Sequence, residues 1–410
     1  MNVFPQAGAL LPLEQLWPTV AARVAPLPAE SVPLAAAAGR VLAAPTVAAW
    51  DLPPFTASAM DGWAVRAADV AAGQPLQLVA GAAYAGGAEP PAVGPGQALP
   101  IGTGGRLPPG ADAILCKEEA NLGDGRVVPL CAVHAGAHVR PAGRERRAGD
   151  IVLPEGTALT PPAVGALAAA GVDTVTVARV PRVGVLATGS EVARPGTAPT
   201  AGRIADANTP LLQAALAREL GQAVPALPPA PDDEAALGAA LEQALLGRDL
   251  LVVTGGVSVG DRDLVKGLLT DRLGAVPLLW RVAVKPGKPV FVARKGEAWI
   301  VALPGNPAAV AVHWHLLVRP LLRALQGDGR AAPRWLPAVL GRDVQPDRER
   351  TLLRWCTLAA DGAALRADPL PGAESHMLGG AAYAGALAAV PAGDAVVAAG
   401  TRVPVLVLEA

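Results

Sequence analysis

The sequence predicts a multidomain chain of α/β plus β architecture, organised around a central three-layer α/β domain. Three observations carry that expectation. A length of 410 residues exceeds what one ordinary core accommodates. Between residues 181 and 325 apolar strands alternate with helices, the pattern of a parallel sheet covered on both faces. On either side the texture changes to short apolar stretches broken by glycine and proline, which reads as β structure.

Taken in order, Leu13, Leu16, Trp17, Val20 and Val24 fall at helical spacing, so a helix is expected over 13–24, with Pro18 shortening or kinking it. Stretches such as 77–81 and 125–129 make 46–140 a small β-rich unit. Helical character returns over 161–171, which reads the β-rich unit as an insertion between two halves of an elongated helical region. The expected divisions are 1–45 and 145–178 for that helical region, 46–144 for the insertion, 179–326 for the α/β domain and 327–410 for a C-terminal β domain. Within the α/β domain, strands are expected at 182–187, 249–253 and 299–303. Asn208 is placed to cap a helix over 209–220 that stops at Gly221, and Asp232 or Asp233 to cap another that stops near Gly247. C-terminal strands are expected at 395–397 and 403–408.

Composition excludes several classes of function. A net charge of −1 provides no basic field for nucleic acid. Alanine inflates the apolar fraction, and no uninterrupted apolar run reaches the roughly 20 residues of a bilayer helix. Residues 1–5 open no basic segment followed by an apolar core, so a cytoplasmic location is expected. Cys116, Cys131 and Cys356 are spaced for neither a disulfide framework nor a zinc pattern. His313 and His315 sit two apart on one helix and do not share a face, which makes them poor metal partners. HExxH, the Walker lysine loop and the Gly-x-Ser-x-Gly elbow are all absent from the sequence.

The chemistry concentrates at three strand ends, where ligands of open parallel sheets bind. They read Thr188-Gly189-Ser190-Glu191, the run from Thr254-Gly255-Gly256 through Ser258 to Asp261 and Asp263, and Pro304-Gly305-Asn306-Pro307. The middle loop offers backbone N–H groups, hydroxyls and two carboxylates, a set suited to phosphate and a hard cation such as magnesium; a tight turn capped by its aspartates is the plainer alternative. Asn306 and Pro307 also suit an ordinary helix start. Lys285-Pro286-Gly287-Lys288-Pro289 holds two ammonium groups on a proline-stiffened segment, suited to an oxyanion.

These motifs, with Ser58-Ala59-Met60-Asp61-Gly62, Gly102-Thr103-Gly104 and Asp206-Ala207-Asn208, together resemble the MoeA and gephyrin E-domain family of molybdenum insertases. The resemblance implies an elongated helical domain, an inserted β domain, a molybdopterin-binding α/β domain and a C-terminal β barrel. It further implies a homodimer with its active site in a cleft between subunits, where adenylylated molybdopterin is cleaved with magnesium as molybdate joins the dithiolene and AMP leaves. By position, Asp61, Thr103, Glu191, Asp232 and Asp263 resemble the residues that place metal and phosphoanhydride, with Asp61, Glu191 and Asp263 as metal ligands. Thr188, Gly189, Gly255, Gly256, Ser258, Pro304, Gly305 and Pro307 resemble the family's substrate loops, with the two prolines shaping their loop. Lys285 and Lys288 resemble its molybdate binders, joined by Arg354 and Ser375 from the C-terminal domain. Molybdopterin adenylyltransferase and apo-molybdoenzymes are the implied partners. Thr56, Trp63, Arg144 and Ala309 depart from the family pattern. The rival readings are a non-catalytic pterin-binding scaffold and an adenylyltransferase; the latter resembles the α/β domain alone.

Overall fold

The computed structural model describes residues 10–193, 196, 200, 202–257, 264–362, 364–371 and 376–408. The first helix, Leu13–Ala21, buries Leu16 and Val20 against the central core. It runs through Pro18 but stops short of the expected residue 24. The amides of Arg23 and Val24 turn to the carbonyls of Val20 and Ala21, a tighter pattern that ends the α-helix.

Strand Ala29–Pro33 pairs antiparallel with Thr174–Ala178, so the chain leaves this ribbon at Pro33 and returns to it at Thr174. The chain between them builds a six-stranded sheet. In it Gly62–Val65 runs antiparallel to both Gln97–Ile101 and Ala113–Cys116. Helix Pro161–Ala169 then precedes the return strand, its N-terminus capped by Thr160.

The central sheet has the spatial order Val183–Ala187, Leu250–Thr254, Ala298–Leu303, Phe291–Lys295, Val276–Trp280. Alternate residues of its second strand divide between two cores. Leu250 and Val252 pack on one face and Leu251 and Val253 on the other, which makes three layers. Helix Asn208–Leu220 covers the first face and Glu234–Leu245 the second. The first three strands are parallel and in register, so Ala187, Thr254 and Leu303 end side by side. Phe291–Lys295 runs antiparallel to both of its neighbours, because the short Gly296-Glu297 turn joins it to Ala298–Leu303 as a hairpin. The sheet is therefore mixed where a parallel one was expected. Buried Asp249 ties the opposite ends of the first two strands together, accepting from both terminal nitrogens of Arg179 at 2.6 Å and from the Arg182 amide at 2.7 Å.

Five C-terminal strands close on themselves. Thr351–Asp361 pairs with Ala364–Pro369 on one side and Ala386–Val390 on the other, and Trp335–Leu340 with Arg402–Val407 completes the ring. The result is a β barrel, whose closure removes the exposed edge an open sheet would leave. The short strand Val284–Lys285 adds in parallel at Thr351 and Leu352, tying the lysine-bearing segment of the central domain to the barrel. Among the described residues no helix is long and apolar enough to cross a membrane.

Candidate functional site

Because the parallel strands end in register, their loops meet around one cavity of about 510 Å³. Thr188, Glu191, Asp206, Asn208, Gly256, Pro304, Gly305, Pro307 and Ala309 contribute to its wall. Lateral hydrogen bonds lace the loops. The Thr188 amide donates to the Thr254 carbonyl at 2.8 Å, and the Gly255 amide to Leu303 at 3.0 Å. Those two amides are thus committed to the scaffold. The Gly256 amide, by contrast, has no acceptor among the described residues. Glycine is required at both positions. At Gly255 (φ +91°) a Cβ would stand 2.6 Å from the Thr188 carbonyl oxygen, and at Gly256 (φ +63°) 2.4 Å from a methyl of Val265.

Asp232 and Asp233 separate into two tasks. Asp233 caps the helix Glu234–Leu245 through the Ala236 amide. The Asp232 carboxylate accepts from the Ser190 amide at 3.0 Å, and its own amide donates to the Ser190 hydroxyl at 3.1 Å, fixing the turn that presents Glu191. The Glu191 carboxylate folds back over Gly189, lies at the cavity wall and accepts no hydrogen bond from the described residues.

Asn208 does not cap its helix as expected. Asp206 takes that role, accepting from the Thr209 amide at 2.9 Å, because Asn208 is already inside the first turn. The Asn208 side chain reaches across to the third loop and donates to the Gly305 carbonyl at 2.8 Å. Its carbonyl oxygen is buried at the cavity wall and has no partner among the described residues. A buried acceptor without a donor is costly, which suits it to a ligand N–H or O–H.

Lys285 and Lys288 flank a turn held from behind by His313. The His313 ring is fully buried and its Nε2 lies 2.6 Å from the Gly287 carbonyl oxygen, so the neutral ring donates there. At Gly287 (φ +107°) a Cβ would come within 2.7 Å of that nitrogen. Lys285 is exposed and ion-paired with Asp347 of the barrel at 3.2 Å. Lys288 is half-buried and has no ion-pair partner among the described residues.

Burial pushes the His313 pKa down to about 4. An imidazole held neutral in the fold, but free to charge in the unfolded chain, adds stability above its ordinary pKa of 6.5 that is lost as pH falls toward 4. The loss approaches about 3 kcal/mol for this residue. His313→Gln, which keeps a donor for Gly287, is expected to flatten the fall of melting temperature between those pH values. Parallel profiles for the two proteins would show that His313 does not set the acid limit.

Asp61 and Thr103 form a separate group in the inserted domain. The Thr103 amide and hydroxyl both donate to Asp61 Oδ1, at 2.7 and 2.9 Å, and these bonds lower the Asp61 pKa. Oδ2 remains available, and the residue is exposed. No hydrogen bond or ion pair among the described residues joins this pair to the loops of the α/β domain.

Comparison with known proteins matches residues 11–171 to the MoeA N-terminal region (domain I and II), 184–324 to a probable molybdopterin binding domain and 337–408 to the MoeA C-terminal region (domain IV). A molybdopterin molybdenumtransferase of Haemophilus influenzae is 36% identical over 305 residues, 74% of each chain. Molybdopterin molybdenumtransferase 2 of Mycobacterium tuberculosis is 35% identical over 387 residues, 92% of this chain and 94% of that one. The chain belongs to the MoeA family. Its fold agrees: a molybdopterin biosynthesis MoeA protein of Pyrococcus horikoshii superposes with a TM-score of 0.82 at 25% identity, covering 98% of this chain and all of that one.

Within that MoeA frame, the remaining expectations sort by position. Arg354 lies on barrel strand Thr351–Asp361, half-buried, and donates to the Leu370 carbonyl at 3.0 Å; burial lowers its pKa. It does not line the cavity. Ser258, Asp261, Asp263 and Ser375 lie outside the described residues. Of the departures, Trp63 is packed in the core of the inserted sheet and Thr56 accepts from the Ala142 amide. Arg144 is exposed, while Ala309 is buried at the cavity wall, where a hydroxyl would have been a further donor. Sequence reasoning missed Asp347 and the cavity role of Asn208, since neither signals its long-range partner locally. It also gave His313 no task, because the Gly287 contact spans two separate segments.

Proposed function

We propose that this protein inserts molybdate into the dithiolene of adenylylated molybdopterin, cleaving the phosphoanhydride with magnesium and releasing AMP. The observation that carries the reading is the cavity at the three strand ends. Among the described residues its wall has glycine amides, the carboxylates of Glu191 and Asp206, and no lysine or arginine. A polyanionic substrate in an acidic wall requires a cation of its own. The donor set of Glu191, together with Asp61 brought from elsewhere, consists of oxygen ligands that fit magnesium. Magnesium held there would supply positive charge against the phosphoanhydride oxygens.

The residues divide the remaining work. Gly256 and Gly305 leave room for the backbone to approach phosphate. Asn208 Oδ1 accepts a hydrogen bond from the pterin nucleotide and orients it. Lys288 and Lys285 hold molybdate by charge-assisted hydrogen bonds at the cavity rim, where Gly287 and Pro289 also contribute to the wall. Asp61, aligned by Thr103, completes the metal site from the second subunit of a homodimer. The adenylyltransferase reading is disfavoured by the barrel, which engages Lys285 through Asp347, and by the inserted sheet beside which Asp61 lies.

The test follows AMP. Purified protein with adenylylated molybdopterin is expected to release AMP in the presence of magnesium and molybdate, to stop on chelation and to resume on adding magnesium. Release at an undiminished rate in excess chelator contradicts the magnesium assignment. Tight pterin binding with no release in any condition supports the scaffold instead.

A further inference from the structure

The inserted domain gathers a thiol, a carboxylate and an imidazole that the function above does not use. Cys116 ends strand Ala113–Cys116, Glu119 closes the short turn after it, and His138 lies just before strand Val139–Arg140. Their ligand atoms all lie within 4.8 Å of one another. A tetrahedral zinc ion sets sulfur, nitrogen and oxygen ligands roughly 3.3 to 3.8 Å apart, so the cluster needs to contract by no more than about 1.5 Å. Cys131 follows directly on Leu130, whose amide donates to the Glu119 carbonyl at 2.8 Å. The spacing of the three cysteines predicted no zinc pattern, because two of the ligand types come from segments the cysteine count does not see.

We propose that Cys116, Glu119, His138 and Cys131 form a structural site for a thiophilic divalent cation of the zinc class. Two observations favour a metal over a chance cluster. His138 is a non-glycine residue held at φ +56°, a region L residues rarely adopt. Its imidazole has no hydrogen-bond partner among the described residues. Binding zinc exchanges each thiol proton for a sulfur–metal bond and releases the proton to solvent, with no change of oxidation state. Cys116 and Glu119 also form a complete capping box, in which the Cys116 sulfur accepts from the Glu119 amide and Glu119 Oε2 from the Cys116 amide at 3.3 Å; this leaves one Glu119 oxygen outside it.

The site would brace the loop that carries Asp61 from both sides. The Lys117 amide donates to the Asp61 carbonyl at 3.2 Å, and the Ala59 amide to the His138 carbonyl at 2.8 Å. Gly62, next to Asp61, is cross-strand from Cys116. A metal at the cluster therefore fixes the two segments between which Asp61 is hung.

The experiment uses the full-length protein, reduced and stripped of metal, titrated with cobalt(II) and then zinc(II). About one cobalt per chain is expected, with thiolate-to-cobalt charge transfer and the intense visible bands of a tetrahedral site, displaced by zinc and untouched by magnesium. Zinc is expected to raise the melting temperature. Cys116→Ser and Cys131→Ser are each expected to remove about half of the charge-transfer intensity. Since Cys116 is buried and its variant is at risk of misfolding, His138→Asn is the second variant; asparagine tolerates the left-handed backbone, and the residue is exposed. It is expected to weaken cobalt binding by roughly a hundredfold. Absence of charge transfer, binding unchanged in His138→Asn, or a Cys116–Cys131 disulfide that binds no cobalt after reduction would overturn the proposal. Intensity unchanged in Cys131→Ser would overturn the fourth ligand.

Discussion

Asp61→Asn and Glu191→Gln are each expected to lower AMP release by roughly a hundredfold or more while leaving the melting temperature close to that of the parent. Both side chains are exposed, so neither supports the core. At position 61 the amide oxygen of asparagine can still accept from the Thr103 amide and hydroxyl, which preserves the turn. What disappears is the fixed negative charge, and an amide copies the shape of a carboxylate without its attraction for a hard cation. At position 191 the carboxylate has no protein donor among the described residues to lose. Raising magnesium should recover part of the rate in both variants, since the defect is in metal affinity. Near-parental turnover at limiting magnesium in either folded variant would remove that residue from the metal site.

The second large effect concerns molybdate. A dianion without apolar surface is held only by charge-assisted hydrogen bonds, each worth about 1.5–3 kcal/mol. Losing one lysine should therefore raise the molybdate needed for insertion roughly tenfold to a hundredfold. The structure distinguishes the two. Lys285 is ion-paired with Asp347, an acid that Arg350 also engages at 2.9 Å, whereas Lys288 is half-buried and unpaired among the described residues. Lys288→Ala should thus be the more damaging. In Lys285→Ala the loss of a partly exposed ion pair costs little stability. Binding of the adenylylated pterin should fall much less in either variant, because its contacts lie in the glycine loops. Titrating molybdate against insertion, with pterin binding measured on the same proteins, checks this. Equal molybdate dependence in both variants and the parent would defeat the oxyanion assignment.

Local signals in the sequence carried the architecture of the central domain well. The strand ends at Ala187, Thr254 and Leu303 and the left-handed Gly221 after its helix all follow from neighbours in the chain. What sequence could not supply depends on segments far apart. The hairpin that turns Phe291–Lys295 antiparallel looked like one more strand of a parallel sheet. Asp206 rather than Asn208 caps its helix, and the Asn208 side chain bonds instead to Gly305, almost a hundred residues away, a partner no local signal announces. The cluster of Cys116, Glu119 and His138 likewise exists only after the inserted sheet has folded.

The central claim is that Asp61 of one chain and the Glu191 loop of another complete one site. Mixing separately purified Asp61→Asn and Glu191→Gln proteins, allowing the subunits to exchange, and measuring AMP release tests it most directly. In a mixed dimer with shared sites, one site carries both changes and the other carries neither. Recovery to about a quarter of the parental rate is then expected, since half the dimers are mixed and each has one intact site. If exchange is verified and activity stays at the level of the single variants, the two residues act within one chain and the composite site is contradicted.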